Sequence, residues 1–491
     1  MREAPPNPVP LERVDSLRFG AGVAVDDAFL RRLADVCAEV SVEEDERTES
    51  ARDWWPLAMN WAAEGAAPAR AAAVARPSSA AEVSAVLALC NESGVPVTAA
   101  AGRSGVCGSS IPVFGGVVLD MTGITGVVEV DDESLLLEVR SGTFGDDLER
   151  ELREAHDVTL GHWPQSMALS TVGGWLACRS AGQYSTRYGK IEDMVVGLEV
   201  VMADGSVIST GGAGPRAAAG PDLNQLFVGS EGTLGVITSA LLRLHPLPPA
   251  EARSAFGFAS FAEGLDACRR ILRRGATPAV LRLYDVPESK RNFDVATNAL
   301  IVLDEGESAL LDGVMSIVRE ECAAAQALDD ALVARWLDHR NEVSALGALT
   351  SRGYVLDTVE IAGRWSKLAG LYEVVTNNLQ QMEGNLAATA HQSHAYSDGA
   401  CLYFTFAFKP EVEDREGTYR AAWDAVMQAT IEHGCAISHH HGIGLNRGRF
   451  MRESLGGGFA AFESMKHALD ANGILNPGKL GLPSPFGEVD F

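Results

Sequence analysis

Three glycine-rich stretches, each set beside an apolar run, constrain this chain of 491 residues more than any other feature. The first, Gly102-Arg-Ser-Gly-Val-Cys-Gly108, follows Val95-Pro-Val-Thr98, which reads as a strand. Its spacing is Gly-x-x-Gly-x-x-Gly. A nicotinamide dinucleotide fold needs Gly-x-Gly-x-x-Gly with an acidic residue at the next strand end, so that fold is disfavoured. Backbone N–H groups in such a loop still converge on an anion without a cationic side chain. The second stretch, Pro164 to Trp175, sets Ser170 and Thr171 beside Gly173 and Gly174 at a helix start, where N–H and O–H donors suit a phosphate or a ring carbonyl. The third, Gly229-Ser-Glu-Gly-Thr-Leu-Gly235-Val-Ile237, ends in an apolar strand.

Composition narrows the class. With 46% hydrophobic residues the chain is globular, and 66 Asp+Glu against 40 Lys+Arg give a formal charge of −26. Such a charge repels nucleic acid and anionic lipid heads, leaving room only for a local basic pocket. The eight cysteines are scattered without a Cys-x-x-Cys pair, which argues against zinc ribbons, redox dithiols and disulfide scaffolds. The N-terminus lacks the apolar stretch of a signal peptide, and no run of roughly 18 apolar residues marks a spanning helix. The reading is a soluble cytoplasmic protein.

Up to about Ser50 the chain is Pro-rich and then acidic, expected to be a leader and a solvated face. Ser79 with Glu82 predicts a capped helix through Leu89, and Ala203-Asp-Gly-Ser206 a hairpin turn. Strands and short helices interleave up to His245-Pro-Leu-Pro-Pro249, a stiff boundary. Beyond it come a helix over 261–273, strands over 280–283 and 299–303, a helix over 308–325, strands over 386–389 and 402–408, and helices over 418–433 and 459–469.

Pro164 to Trp175, Ser180-Ala-Gly182, Tyr188-Gly-Lys-Ile-Glu-Asp193, Gly220-Pro-Asp-Leu223 and Gly229 to Thr238 resemble the FAD-binding domain of the vanillyl-alcohol oxidase and p-cresol methylhydroxylase superfamily. Within it, Ser170 to Trp175, Cys401-Leu-Tyr-Phe404 and Ser438-His-His-His-Gly-Ile-Gly444 resemble the alkyldihydroxyacetonephosphate synthases. The resemblance implies an α+β chain: a two-lobed FAD-binding domain of the p-cresol methylhydroxylase type, an α+β cap or substrate domain, and a C-terminal helix returning to the FAD domain. The expected divisions are 1–52, 53–248, 249–444 and 445–491.

The resemblance also implies residue roles. FAD, held non-covalently, is expected on Ala101, Gly102, Arg103, Ser104, Gly105, Pro164, Ser166, Ser170, Thr171, Gly173, Gly174, Ser180, Tyr188, Glu231, Gly232, Gly235, Val236 and Ile237. Ala101 and Arg103 stand where relatives often have glycine, and no histidine in that loop offers a covalent link. Tyr403 falls on the synthases' catalytic tyrosine, a base that needs a nearby cation because free tyrosine has a pKa near 10. Arg282, His162, His439, His440 and His441 are expected around it, with Arg340 or Arg352 as a further arginine. If the three histidines lie on a strand, only His439 and His441 converge; with His391 and His394 near in type a metal stays open, and none is assigned.

Two activities follow. One is exchange of the acyl group of acyl-dihydroxyacetone phosphate for a fatty alcohol through an adduct on flavin N5, an ether-lipid reaction. The other is FAD-linked oxidation of a 2-hydroxy acid such as glycolate or D-lactate, or of an alcohol. Either way the partner is a small lipid-like or hydroxy-acid substrate, with a homodimer and peripheral membrane contact as family-level expectations. No Gly-x-Ser-x-Gly elbow supports a hydrolase.

Overall fold

The computed structural model describes residues 5–11 and 13–491. Three sheets organise it. The smallest has the order Val40–Ser41, Ala73–Ala75, Val117–Asp120, Val97–Ala100, parallel apart from its first pairing. Helix Ala80–Ser93 crosses between parallel strands on it, starting where Ser79 accepts from the Glu82 N–H and ending at left-handed Gly94. The second sheet is antiparallel, ordered Val207–Ser209, Val195–Val201, Val236–Arg243, Leu136–Arg140, Val127–Asp131. The turn at 203–206 joins two of its strands as expected, with Gly205 at φ +84°.

The third sheet has seven antiparallel strands: Gln326–Leu328, Ala250–Phe258, Asn298–Gly306, Val280–Tyr284, Asn385–Ala395, Gly399–Phe408, Val355–Arg364. Side chains alternate across it. Leu281, Leu283, Leu402, Phe404, Phe406 and Phe408 enter the main core, under helices Phe261–Arg273, Ser308–Glu321, Trp365–Gln381 and Arg415–Glu432. Their neighbours Arg282, Tyr403 and Thr405 are thereby turned to the opposite face, over a cavity.

Of the leader or helical segment expected over 1–52, the helical part is present and packed into the protein. Phe29, Leu33 and Cys37 of helix Asp27–Val36 and its C-cap are buried with Val83, Val86 and Leu87, and Val40–Ser41 extends a sheet. The acidic run forms a helix, Glu44–Glu49, with Glu44 and Asp45 exposed and Thr48 buried. At the other end the chain returns after residue 470: the Val97 N–H donates to the Ile474 carbonyl over 2.8 Å, and Asn476 donates from Nδ2 to the carbonyls of Ser109 and Glu231. Among the described residues no helix is long and apolar enough to cross a membrane.

Candidate active site

A cavity of about 840 Å³ lies between the glycine loops and the open face of the seven-stranded sheet, within the roughly 300–1,000 Å³ usual for small-molecule sites. Ala101 to Gly105, Pro164, Ser166, Ser170, Thr171, Gly173, Gly174, Ser180, Glu231, Gly232, Gly235, Val236 and Ile237 all line it. Gly102 permits this, because a Cβ there would sit 2.0 Å from the Leu169 carbonyl oxygen. Arg103 holds φ +52°, the left-handed region that favours glycine. Among the described residues its guanidinium has no hydrogen bond or ion pair, and the N–H groups of Arg103, Ser104, Gly105 and Val106 donate to nothing. Consecutive free donors beside an unpaired cation make an anion cradle.

On the sheet, His391, Tyr403 and Glu360 are directly opposed across three strands. The His391 and Tyr403 rings stack at 4.7 Å and 15°. A bulge at Ser393/Ala395, with His394 at φ +48°, adds a residue to the strand, so His394 faces the cavity as His391 does. Arg282 Nη2 donates to His391 Nε2 over 2.6 Å. A guanidinium only donates, so Nε2 is unprotonated and His391 Nδ1–H donates to Glu288 over 2.7 Å. Burial and the Arg282 charge push the His391 pKa down, in keeping with a neutral ring. Burial works against the Glu288 carboxylate, yet His391, Arg291 and the Thr389 hydroxyl outweigh it and hold it at about 2.

The histidine triplet is not a strand. It turns around the Glu360 carboxylate, which accepts from the N–H groups of His439 at 2.8 Å, His440 at 3.3 Å and His441 at 2.6 Å, from Ser438 Oγ and from Arg447. This corrects the expected pairing of His439 with His441: His394, His439 and His440 bring nitrogens within 4.8 Å of one another. Tyr403 Oη meets His440 Nε2 at 2.5 Å and His441 Nε2 at 3.2 Å. Burial raises the Tyr403 pKa well above its ordinary value, and the charges of Arg282 and Arg447 do not offset it. The phenolate expected from a neighbouring cation is therefore replaced by a neutral phenol on a neutral imidazole.

Three other expectations are corrected. His162 is wholly buried against Trp175, rings 4.7 Å apart, and does not line the cavity; burial alone pushes its pKa to about 3. Tyr188 is turned away and donates to Glu305 over 2.6 Å. His439 stands behind His440, outside the lining. Of the two further arginines, Arg340 lines the cavity and Arg352 does not. The Arg282 and Arg340 guanidinium groups lie 5.9 and 5.6 Å from the Trp336 ring, and among the described residues neither meets a carboxylate. Glu288, Glu360 and Arg447 carry no motif, and their roles emerge only from the fold.

The comparisons with known proteins agree with this geometry. Residues 71–211 match the FAD binding domain and residues 247–480 match the C-terminal domain of FAD linked oxidases. An uncharacterized FAD-linked oxidoreductase of Escherichia coli K12 is 33% identical over 437 residues, covering 83% of this chain and 88% of that protein. The alkyldihydroxyacetonephosphate synthase of Dictyostelium discoideum is 29% identical, covering 82% and 72%. The glycolate oxidase subunit GlcD of Bacillus subtilis 168 is 28% identical, covering 83% and 88%. An alkyldihydroxyacetonephosphate synthase structure superposes with a TM-score of 0.79 at 24% identity, over 97% of this chain and 89% of that one. A substrate-bound p-cresol methylhydroxylase superposes with 0.76 at 18% identity, over 94% and 99%. The fold is that of the p-cresol methylhydroxylase type. The chain belongs to the FAD-linked oxidoreductase family, and its cofactor is FAD. The cradle at Arg103–Val106 fits the pyrophosphate of that group, whereas the N–H groups of Ser170, Val172, Gly173 and Gly174 and the Ser170 hydroxyl are already bonded within the protein, so this stretch shapes the cavity wall.

Proposed function

We propose that the enzyme acts on an acyl-dihydroxyacetone phosphate and exchanges the acyl group for a fatty alcohol, with FAD held non-covalently. The observation that carries this is the pair of unmatched guanidinium groups, Arg282 and Arg340, on Trp336 beside Tyr403. Two unpaired cations suit a phosphate dianion better than a single carboxylate. Val343, Leu346, Leu349 and Leu356 supply an apolar wall to the same cavity, suited to an alkyl chain.

Bound FAD supplies an electrophilic ring and an electron sink. The chain's own residues do the rest. Arg282 and Arg340 bind the phosphate. His391, pinned between Glu288 and Arg282, fixes the direction of that guanidinium. Tyr403 takes a proton from the carbon beside the ketone while its own hydrogen passes to His440 Nε2. His441 Nε2–H steadies the phenol oxygen as the exchange proceeds.

The test is the absorbance spectrum of the FAD-loaded protein without oxygen, after palmitoyl-dihydroxyacetone phosphate or, separately, D-lactate or glycolate. Bleaching by the phosphate ester, reversed by a fatty alcohol with release of palmitate, supports the exchange. Bleaching by a hydroxy acid alone, reversed by an electron acceptor, replaces it with hydroxy-acid oxidation, the activity in the name of the Bacillus subtilis relative.

A further inference from the structure

Tyr403 does not end at His440. His440 Nδ1 meets His439 Nδ1 at 2.8 Å, His439 Nε2 meets Tyr396 Oη at 3.0 Å, Tyr396 Oη meets Ser185 Oγ at 3.1 Å, and Ser185 Oγ meets His394 Nδ1 at 2.9 Å. The His394 ring lines the same cavity as Tyr403. The chain leaves the cavity behind one residue and re-enters it behind another. Burial, named first among the causes in every case, lowers the pKa of His394, His439 and His440 and raises those of Tyr396 and Tyr403, so all five are neutral at pH 7. Neutral groups in a row can each donate once and accept once.

We propose that these residues form a closed proton circuit, in which a proton taken up at Tyr403 is matched by one released at His394 Nε2, with Ser185 and Tyr396 as the relay between them. The proposal rests on the reading of Tyr403 as the base. If Tyr403 donates to His440, each bond that follows has one consistent donor: His440 Nδ1–H, His439 Nε2–H, Tyr396 O–H and Ser185 O–H, ending on His394 Nδ1. His394 then carries its hydrogen on Nε2, a nitrogen with no hydrogen bond among the described residues.

The balance closes in both halves of the exchange. In the first half, the C–H bond beside the ketone breaks and its electron pair would pass to the electron sink that bound FAD supplies, which would hold the carbon in place of the departing carboxylate. The proton joins Tyr403 Oη and each hydrogen moves one place along. His394 Nε2–H passes to the departing fatty carboxylate, which keeps the pair of its broken C–O bond and leaves as a neutral acid. In the second half the fatty alcohol gives its O–H proton to His394 Nε2 and forms the ether C–O bond, the chain shifts back, and Tyr403 returns a proton to the carbon on the electron pair that bound FAD would hand back. The six residues keep their net charge throughout.

The circuit also accounts for the three close histidines without an ion. Of their six ring nitrogens, five are already in hydrogen bonds to protein groups.

Two measurements test it. The first is independent of substrate: ¹⁵N-histidine NMR of the FAD-loaded protein at pH 7 should show His440 as the Nδ1–H tautomer and His439 and His394 as Nε2–H. Ser185→Ala should release His394 into a tautomer mixture. Mixed tautomers or imidazolium signals in the wild type, or no change on Ser185→Ala, would overturn the circuit. The second is turnover of palmitoyl-dihydroxyacetone phosphate. Ser185→Ala and Tyr396→Phe, neither of which lines the cavity, should lower kcat at least tenfold at unchanged KM and reduce a multi-proton solvent isotope effect to a single-proton one. Ser185→Thr, which keeps the hydroxyl, should recover the rate. Full kcat in both chain-breaking variants would also overturn it. Should the wild type turn over only D-lactate, the substrate reading falls and the tautomers alone decide the circuit.

Discussion

Arg447 places one guanidinium nitrogen 3.0 and 3.1 Å from the two oxygens of Glu360, with both side chains wholly buried. This ion pair is the floor on which the histidine turn rests, since the same carboxylate accepts the three histidine N–H groups. Burial opposes ionisation of Glu360, but Arg447, His441 and those N–H groups outweigh it and hold the carboxyl at about 2, below its ordinary 4.5. A depressed carboxyl stabilises the fold fully above its unfolded value and loses that contribution as pH falls through its folded value. The contribution is on the order of 3 kcal/mol. Urea unfolding should therefore show Glu360→Gln well below wild type at pH 7 and the gap shrinking between pH 4.5 and 2. A gap independent of pH would remove the charge from the explanation.

Tyr403→Phe keeps the ring that stacks on His391 and deletes the hydroxyl. The variant should retain bound yellow flavin and lose turnover by about 10²–10⁴-fold, the usual weight of a positioned acid–base group. Undiminished kcat would take the proton-handling role from this residue.

Arg282→Lys exchanges a planar fork, already tied to His391 on one nitrogen, for a point charge. KM for a phosphate-bearing substrate should rise by roughly tenfold or more, with a smaller effect on kcat. Arg340→Lys should act in the same direction, and Arg352→Lys should leave both constants unchanged, since Arg352 does not line the cavity.

Arg103 sits in the backbone region that glycine occupies without strain, yet brings a free charge to the cofactor cradle. Losing a charge-assisted contact to a phosphate should weaken FAD binding by about tenfold or more. Arg103→Gly, which relieves the backbone, should lose affinity as Arg103→Ala does, measured by titrating FAD into apoprotein. Full affinity in Arg103→Gly would show that the charge is idle.

Chelation gives a fourth handle on the site. Five of the six nitrogens of His394, His439 and His440 are engaged with protein groups, so prolonged dialysis against EDTA should leave turnover intact. Loss of activity restored by zinc or manganese would mean that these histidines rearrange to hold an ion.

Much of the cofactor side was legible in the sequence because glycines and hydroxyls at fixed spacings report backbone approach directly. Gly102, Gly173 and Gly235 each face an atom within 2.7 Å of where a Cβ would stand, and local patterning exposes such demands. The substrate side was harder. The strand Asn385–Ala395 was expected only over 386–389, because His391-Gln-Ser-His394 breaks the apolar alternation where the strand turns polar to face the cavity. Its bulge depends on pairing with a strand that follows it, which local pattern does not encode. His162 and Tyr188 were assigned by motif position, and motif position does not say which way a side chain turns. Glu288 and Glu360 acquire meaning only through partners 103 and 87 residues away, His391 and Arg447.

The return of the chain at residues 474–480 bears on cofactor retention. Ile474 and Asn476 bond to Val97, Asn476 spans Ser109 and Glu231, Lys479 donates to the Ile111 carbonyl, and Leu480 donates to the Gly444 carbonyl. The loops that carry the first and third glycine stretches are thus tied together by one short segment distant from both in sequence. Unseating residues 474–480 would leave both loops unfastened, so the grip on the flavin rests on residues that never line its cavity.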